Sequence, residues 1–121
     1  MNYRRAMEYI EELQQYGSVV GLTTMGELCA RLDNPQEQLK YVHIAGTNGK
    51  GSVLAYVSTV LQQAGYRVGR YISPTIKEYR ERFQVDGKMI TQSGLCKYLE
   101  QVKEAAEAMV AQGLPHPTAF E

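Results

Sequence analysis

Tyr41-Val42-His43-Ile44-Ala45-Gly46-Thr47-Asn48-Gly49-Lys50-Gly51-Ser52 joins an apolar run to a loop with three glycines and one lysine, and helical spacing follows at once. Glycines at 46, 49 and 51 free the backbone for conformations that side chains resist, and they leave no Cβ between the amide N–H groups and a bound anion. Lys50 adds a compact positive charge on a mobile stem. A helix starting here points unsatisfied N–H groups and the positive end of its dipole into the same space. Strand, loop and helix together predict a site for nucleotide triphosphate, with the phosphates held largely by main chain. The strict phosphate-loop pattern fails at two positions, since Ile44 stands where its first glycine belongs and Gly51 follows the lysine. The alternative is a plain surface turn, which usually needs only one glycine.

Working outward, Tyr3, Met7, Ile10 and Leu13 draw one stripe along a helix over 2–16, with Gly17 as its stop. Thr24 and Glu27 have capping-box spacing for a short helix through Met25, Leu28 and Leu32, which Asn34-Pro35 ends. The apolar run 40–45 reads as a buried parallel strand. Leu54, Val57, Leu61 and Ala64 keep helical spacing up to Gly65, and 67–72 reads as a second strand, parallel to the first through a right-handed crossover. Such a βαβ unit places its nucleotide site at the carboxyl ends of the strands. Phe83-Gln84-Val85, Asp86-Gly87 and Lys88-Met89-Ile90 give a hairpin signal. Thr91 is a candidate cap for a last long helix carrying Leu95, Leu99, Val102, Ala106 and Met109, stopped by Gly113 and the prolines at 115 and 117.

The chain has 121 residues, with 13 basic and 13 acidic side chains. Their balance and mixing supply no basic stripe for nucleic acid and no acidic tail for a cationic partner. No stretch approaches the ~18 apolar residues of a membrane span, and Met1-Asn2-Tyr3-Arg4-Arg5 leads into no apolar signal core, so the cytoplasm is the expected compartment. Cys29 and Cys96, far apart within helical patterns, suit reduced thiols better than a disulfide framework or a metal site. His43 reads as a core or sheet-surface residue, and His116, between prolines, as a loop residue.

The segment Gly46-Thr47-Asn48-Gly49-Lys50-Gly51-Ser52 resembles the ATP loop of the folylpolyglutamate synthase and dihydrofolate synthase family, within the Mur ligase superfamily. The likeness extends through Leu32-Asp33-Asn34-Pro35, Ala64-Gly65-Tyr66-Arg67-Val68-Gly69, Tyr71-Ile72-Ser73-Pro74, Glu81-Arg82-Phe83-Gln84-Val85-Asp86-Gly87 and Thr118-Ala119-Phe120-Glu121. It implies an α/β fold: a parallel-sheet phosphate-loop domain of Mur ligase type, incomplete, with a small β-hairpin. Family members are several times longer, so residues 1–121 are expected to form the amino-terminal part of the ATP-binding domain. The rest of that domain and a carboxy-terminal domain would be absent, and the fragment alone inactive. Apolar surface left uncovered would then promote self-association.

The resemblance further implies ATP and Mg2+ as cofactors, and folate or dihydropteroate with L-glutamate as the partners in an ATP-dependent ligation through an acyl phosphate. Nucleic acid and membrane are not expected partners. Lys50 is the candidate catalytic residue, offsetting charge at the β- and γ-phosphates, beside its plain reading as an exposed helix-start lysine. Gly46, Thr47, Asn48, Gly49, Lys50, Gly51 and Ser52 would hold the nucleotide. Ser52 either contacts phosphate or magnesium or satisfies a nearby helix N–H. Ser73 is implied as a magnesium contact presented by Pro74, where the residues alone show only a turn. Thr75 departs from the histidine or phenylalanine usual after that pair. Phe120 and Glu121 either line a pteridine pocket or begin a new helix, and Gly21 to Met25 corresponds to an early substrate loop. Glu81 and Arg82 are either a solvated ion pair or part of a substrate-covering loop. A cell-wall Mur-type amino-acid ligase, disfavoured by Gly51, and a non-catalytic nucleotide-binding module are the alternative functions.

Overall fold

A computed structural model describes all residues from 1 to 121. The chain divides into two compact units, one formed by Met1–Lys40 with Ser93–Glu121 and the other by Tyr41–Gln92.

The first unit is helical. Helix α1 spans Tyr3–Glu12, with the Asn2 side chain accepting the Arg5 N–H as its cap, and one 3-10 turn over Leu13–Tyr16 follows before Gly17 reverses at φ 66°. Helix α2 covers Thr23–Arg31. The expected Thr24–Glu27 capping box does not form: Thr24 lies inside the helix, and the Glu27 carboxylate is instead held at 2.9 Å by the Arg31 guanidinium one turn on. A charged partner at i+4 outcompetes a backbone amide for that carboxylate.

Asp33 and Asn34 adopt left-handed backbone (φ 63° and 48°), and Pro35 opens a 3-10 turn, so the predicted stop is where the helix ends. The long helix, α4, runs Gln92–Ala111. Ala6 and Tyr9 of α1, Leu28 and Cys29 of α2, and Leu95, Cys96, Ala106 and Met109 of α4 are the buried apolar residues of this unit. Both cysteines are free. Polar ties accompany the packing: the terminal ammonium lies 3.4 Å from Glu100, Lys103 Nζ sits 5.3 Å above the Tyr9 ring, and Arg31 donates to Gln112. Tyr16 stacks on His116 with 4.0 Å between centroids, which fixes the proline-flanked segment against the end of the first helical stretch.

The second unit holds helix α3 (Lys50–Gln63) and strands β1 (Gly69–Tyr71), β2 (Phe83–Val85) and β3 (Lys88–Met89). The sheet is antiparallel in the order β1-β2-β3, with Tyr71 opposite Phe83 and Val85 opposite Lys88. Asp86 and Gly87 both have positive φ (50° and 79°), the geometry that a two-residue hairpin turn requires, so the sequence signal and the turn agree. Asp86 also locks the entry to β1: its N–H donates to Val68 O and its carboxylate accepts the Val68 N–H, both at 2.9 Å.

The parallel pairing predicted for 40–45 and 67–72 is not present. Tyr41 to Ala45 form no ladder, Val42 is 65% exposed, and His43 sits on this irregular exposed stretch and not in a strand. A strand exists only with a partner along its edge, and a parallel one needs both faces covered. In the order β1-β2-β3 the strand β1 is paired along one edge only, with β2, and its other edge is open; no segment of the 121 residues pairs with 41–45, which are left irregular. Helix α3 shows the same imbalance. Leu54, Val57 and Leu61 are half-buried as their spacing predicts, while Val53, Tyr56 and Val60 are exposed. No helix of the chain is long and apolar enough to cross a membrane.

Candidate functional site

Residues Gly46 to Ser52 form the loop that leads into the first turn of α3. Gly46 has φ 148° and Gly49 φ 75°, ψ 3°; a Cβ at either would meet no atom within 4 Å, so backbone conformation and not crowding demands glycine there. Gly49 is also the residue before the helix, and no side chain caps the amides that follow. The Val53 N–H closes the first helical bond on Gly49 O at 3.0 Å, so the N–H groups of Lys50, Gly51 and Ser52 lie at the positive end of a 14-residue helix without a capping acceptor. The Lys50 ammonium folds back to donate to Gly46 O at the start of the loop. All seven residues are exposed. Uncapped amides, positive-φ glycines and a lysine within the same loop fit a polyphosphate.

Ser73 follows β1, where the chain leaves the sheet. The Ile72 N–H bonds to Arg82 O at 3.1 Å, and Arg82 Nη1 approaches Ser73 Oγ at 3.4 Å. Arg82 lies over the Tyr79 ring, 4.9 Å from its centroid, and Phe83 joins the cluster with Tyr71 and Tyr79 at 5.6 and 5.8 Å. Burial raises the Tyr79 phenol above its ordinary 10.0; the Arg82 charge opposes that shift, and Tyr71 adds to it. The long contact from Arg82 leaves the Ser73 hydroxyl with a free lone pair. No group of three or more His, Cys, Asp or Glu residues is placed to hold a metal ion. The donors present are hydroxyls, which fits a magnesium ion carried mainly by phosphate and water oxygens and not one caged by protein carboxylates.

Glu81 and Arg82 do not form the ion pair weighed from sequence. The Glu81 carboxylate accepts the N–H groups of Ile76, Lys77 and Glu78, and Glu78 is held by Arg80 at 2.9 Å. Glutamates three apart just ahead of a strand were the available signal for this arrangement; the side chain at 78 is the less usual cap.

Phe120 and Glu121 belong to the other compact unit. Phe120 is 98% exposed. The Glu121 carboxylate accepts the Thr118 N–H at 2.8 Å, while the Glu121 N–H donates to Thr118 Oγ1 at 3.3 Å. These reciprocal bonds have the pattern of a capping box, though residues 118–121 themselves carry no helix.

The chain is α/β with a small three-stranded antiparallel sheet, and known proteins make the assignment narrower. Dihydrofolate synthase/folylpolyglutamate synthase of Bacillus subtilis is 38% identical over 119 residues, covering 98% of this chain and 28% of that protein. Folylpolyglutamate synthetase from Lactobacillus casei superposes with a TM-score of 0.88 at 34% identity, over 99% of this chain and 30% of that one. A complex of FPGS (folylpolyglutamate synthase) with AMPPCP and folate gives a TM-score of 0.85 at 33% identity, again over 99% of this chain and 30% of the other. No protein-family model matches the sequence. The chain belongs to the folylpolyglutamate synthase/dihydrofolate synthase family. It spans about 28% of the Bacillus relative's length.

Proposed function

We propose that this chain is the ATP-handling part of a ligase that joins L-glutamate to a folate, to dihydropteroate, or to both, in the cytoplasm. The observation that carries the reading is the uncapped start of α3 behind Gly46 and Gly49, with Lys50 donating back to Gly46 O. The comparison supporting the nucleotide is the FPGS complex with AMPPCP and folate.

In this reading the amides of Lys50, Gly51 and Ser52 and the loop amides from Gly46 to Gly49 grip the phosphates. Lys50 leaves Gly46 O for the β- and γ-phosphates and offsets the charge that builds as the γ-phosphoryl departs. The substrate carboxylate receives that phosphoryl with ADP as leaving group, and the amino group of glutamate attacks the resulting acyl phosphate, forming the amide as the C–O bond to phosphate breaks and inorganic phosphate and a proton leave. Carboxylate and phosphate are both anions, so fixed positive charge is needed before they meet, and most of the catalysis is neutralisation and alignment. Ser52 and Ser73 are the residues that would hold magnesium, which supplies further charge neutralisation on the phosphate oxygens when bound. Taken alone, residues 1–121 bind phosphate without completing the ligation.

The test is glutamate-dependent ADP release by the protein carrying this chain, with dihydropteroate and tetrahydrofolate in parallel and a Lys50→Ala variant beside it. Release that needs both glutamate and a pteroyl acceptor, and that Lys50→Ala abolishes, supports the reading. ADP release indifferent to glutamate, or undiminished in Lys50→Ala, overturns it.

A further inference from the structure

We infer that Glu81 is a positioning residue for the Ser73 hydroxyl, acting through the main chain of residues 74–78. The inference rests on the reading of Ser73 given above. Glu81 Oε2 accepts the Ile76 N–H at 3.3 Å, and Oε1 accepts those of Lys77 and Glu78 at 3.2 and 3.3 Å. Ile76 itself is 95% exposed, so nothing apolar holds this stretch in place. Three consecutive amides gathered by one carboxylate are charge-assisted bonds, each stronger than a neutral pair.

The remaining contacts close the excursion around that clasp. Ile72 N–H to Arg82 O, at 3.1 Å, joins its two ends. Glu78 accepts from Arg80 Nη2 and Nε, at 2.9 and 3.2 Å, and Arg80 Nη1 donates to Ile90 O at 3.0 Å, tying the turn to the residue after β3. Between the anchored Ile72 and the clasped Ile76 only Ser73, Pro74 and Thr75 remain, and proline fixes one torsion of those three. Releasing Glu81 therefore frees one of the two ends that hold Ser73. Both carboxylate oxygens accept amide hydrogens, which assigns Glu81 a part in holding the backbone.

The experiment pairs two readouts. In the 121-residue chain, amide hydrogen exchange by NMR compares wild type with Glu81→Ala and Glu81→Gln. Gln can accept at only one of the two oxygen positions and turns an amide group toward the other donor. In the protein carrying this chain, the magnesium concentration for half-maximal ADP release is compared for Glu81→Ala, Glu81→Gln, Ser73→Ala and the Glu81→Ala/Ser73→Ala double variant. The expected result is exchange at residues 76–78 faster by about tenfold or more in Glu81→Ala, with α4 unchanged. Half-saturating magnesium should rise about tenfold, with a smaller rise in Glu81→Gln and no further rise when Glu81→Ala is added to Ser73→Ala.

Unchanged exchange at 76–78 overturns the inference. So does lost protection with an unchanged magnesium requirement while Ser73→Ala raises it; in that case the reading of Ser73 stands alone. A magnesium requirement indifferent to Ser73→Ala removes both. Should Glu81→Ala not fold, Glu81→Gln carries the same comparison.

Discussion

Gly49 offers a quantitative handle on the phosphate loop. Its φ of 75° and ψ of 3° lie in the left-handed region, and an added Cβ would touch nothing within 4 Å. Gly49→Ala therefore costs backbone strain alone, roughly 1–2 kcal/mol. If the loop must hold this torsion to aim its amides, that strain appears as a binding loss of about 5- to 30-fold at 1.4 kcal/mol per decade. Asparagine tolerates the left-handed region far better than alanine, so Gly49→Asn should bind within about threefold of wild type despite its larger side chain. The assay is calorimetric titration of the chain with inorganic tripolyphosphate. Wild-type affinity in Gly49→Ala would show that the left-handed residue is not part of the binding conformation. Equal losses in Ala and Asn would show that side-chain bulk, not torsion, is what the site rejects.

Three further outcomes are expected. Met109, 1% exposed in α4, leaves a cavity when truncated, so Met109→Ala should lower the unfolding free energy by about 2–5 kcal/mol in urea titration, and a loss under about 0.5 would contradict its place in the core. Glu12 accepts Arg5 at 2.7 Å, and that hydrogen bond, with the guanidinium charge, lowers its pKa below the ordinary 4.5. The stabilisation is present above 4.5 and is lost as pH falls through the lowered value; NMR titration should find the midpoint depressed in wild type and restored in Arg5→Ala. Exposed Val53, Tyr56 and Val60 on α3 should drive concentration-dependent self-association, seen by sedimentation velocity and reduced in Tyr56→Lys; a monomer at every concentration would contradict this.

What the sequence showed was local. The glycine-rich loop and the helix behind it, the Asp86-Gly87 hairpin turn, and the stops at Gly17, Gly65 and Gly113 each depend on residues within a few positions, and each is found. Sheet pairing is not local. The run 41–45 has the apolar content of a parallel strand, yet content cannot supply a partner along its edge, and the strand is absent. The Thr24 cap failed for a related reason, because Glu27 had a choice between a backbone amide and a guanidinium one turn away. The local form of Gly46 to Ser52 was readable because glycine torsions and helix start fall in seven consecutive residues. The Glu81 clasp left only a partial signal in the spacing of Glu78 and Glu81, since such glutamates have many possible partners and only the folded loop brings residues 76–78 to one of them.

Binding of AMPPCP to this chain and to its Lys50→Ala variant, followed by the amide NMR shifts of residues 46–52, tests the phosphate grip most directly. The account predicts saturable shifts concentrated at the Gly46–Ser52 amides, with affinity weakened about tenfold or more in Lys50→Ala. Saturable binding that leaves those amides unmoved, or that is as tight without the lysine, would contradict it.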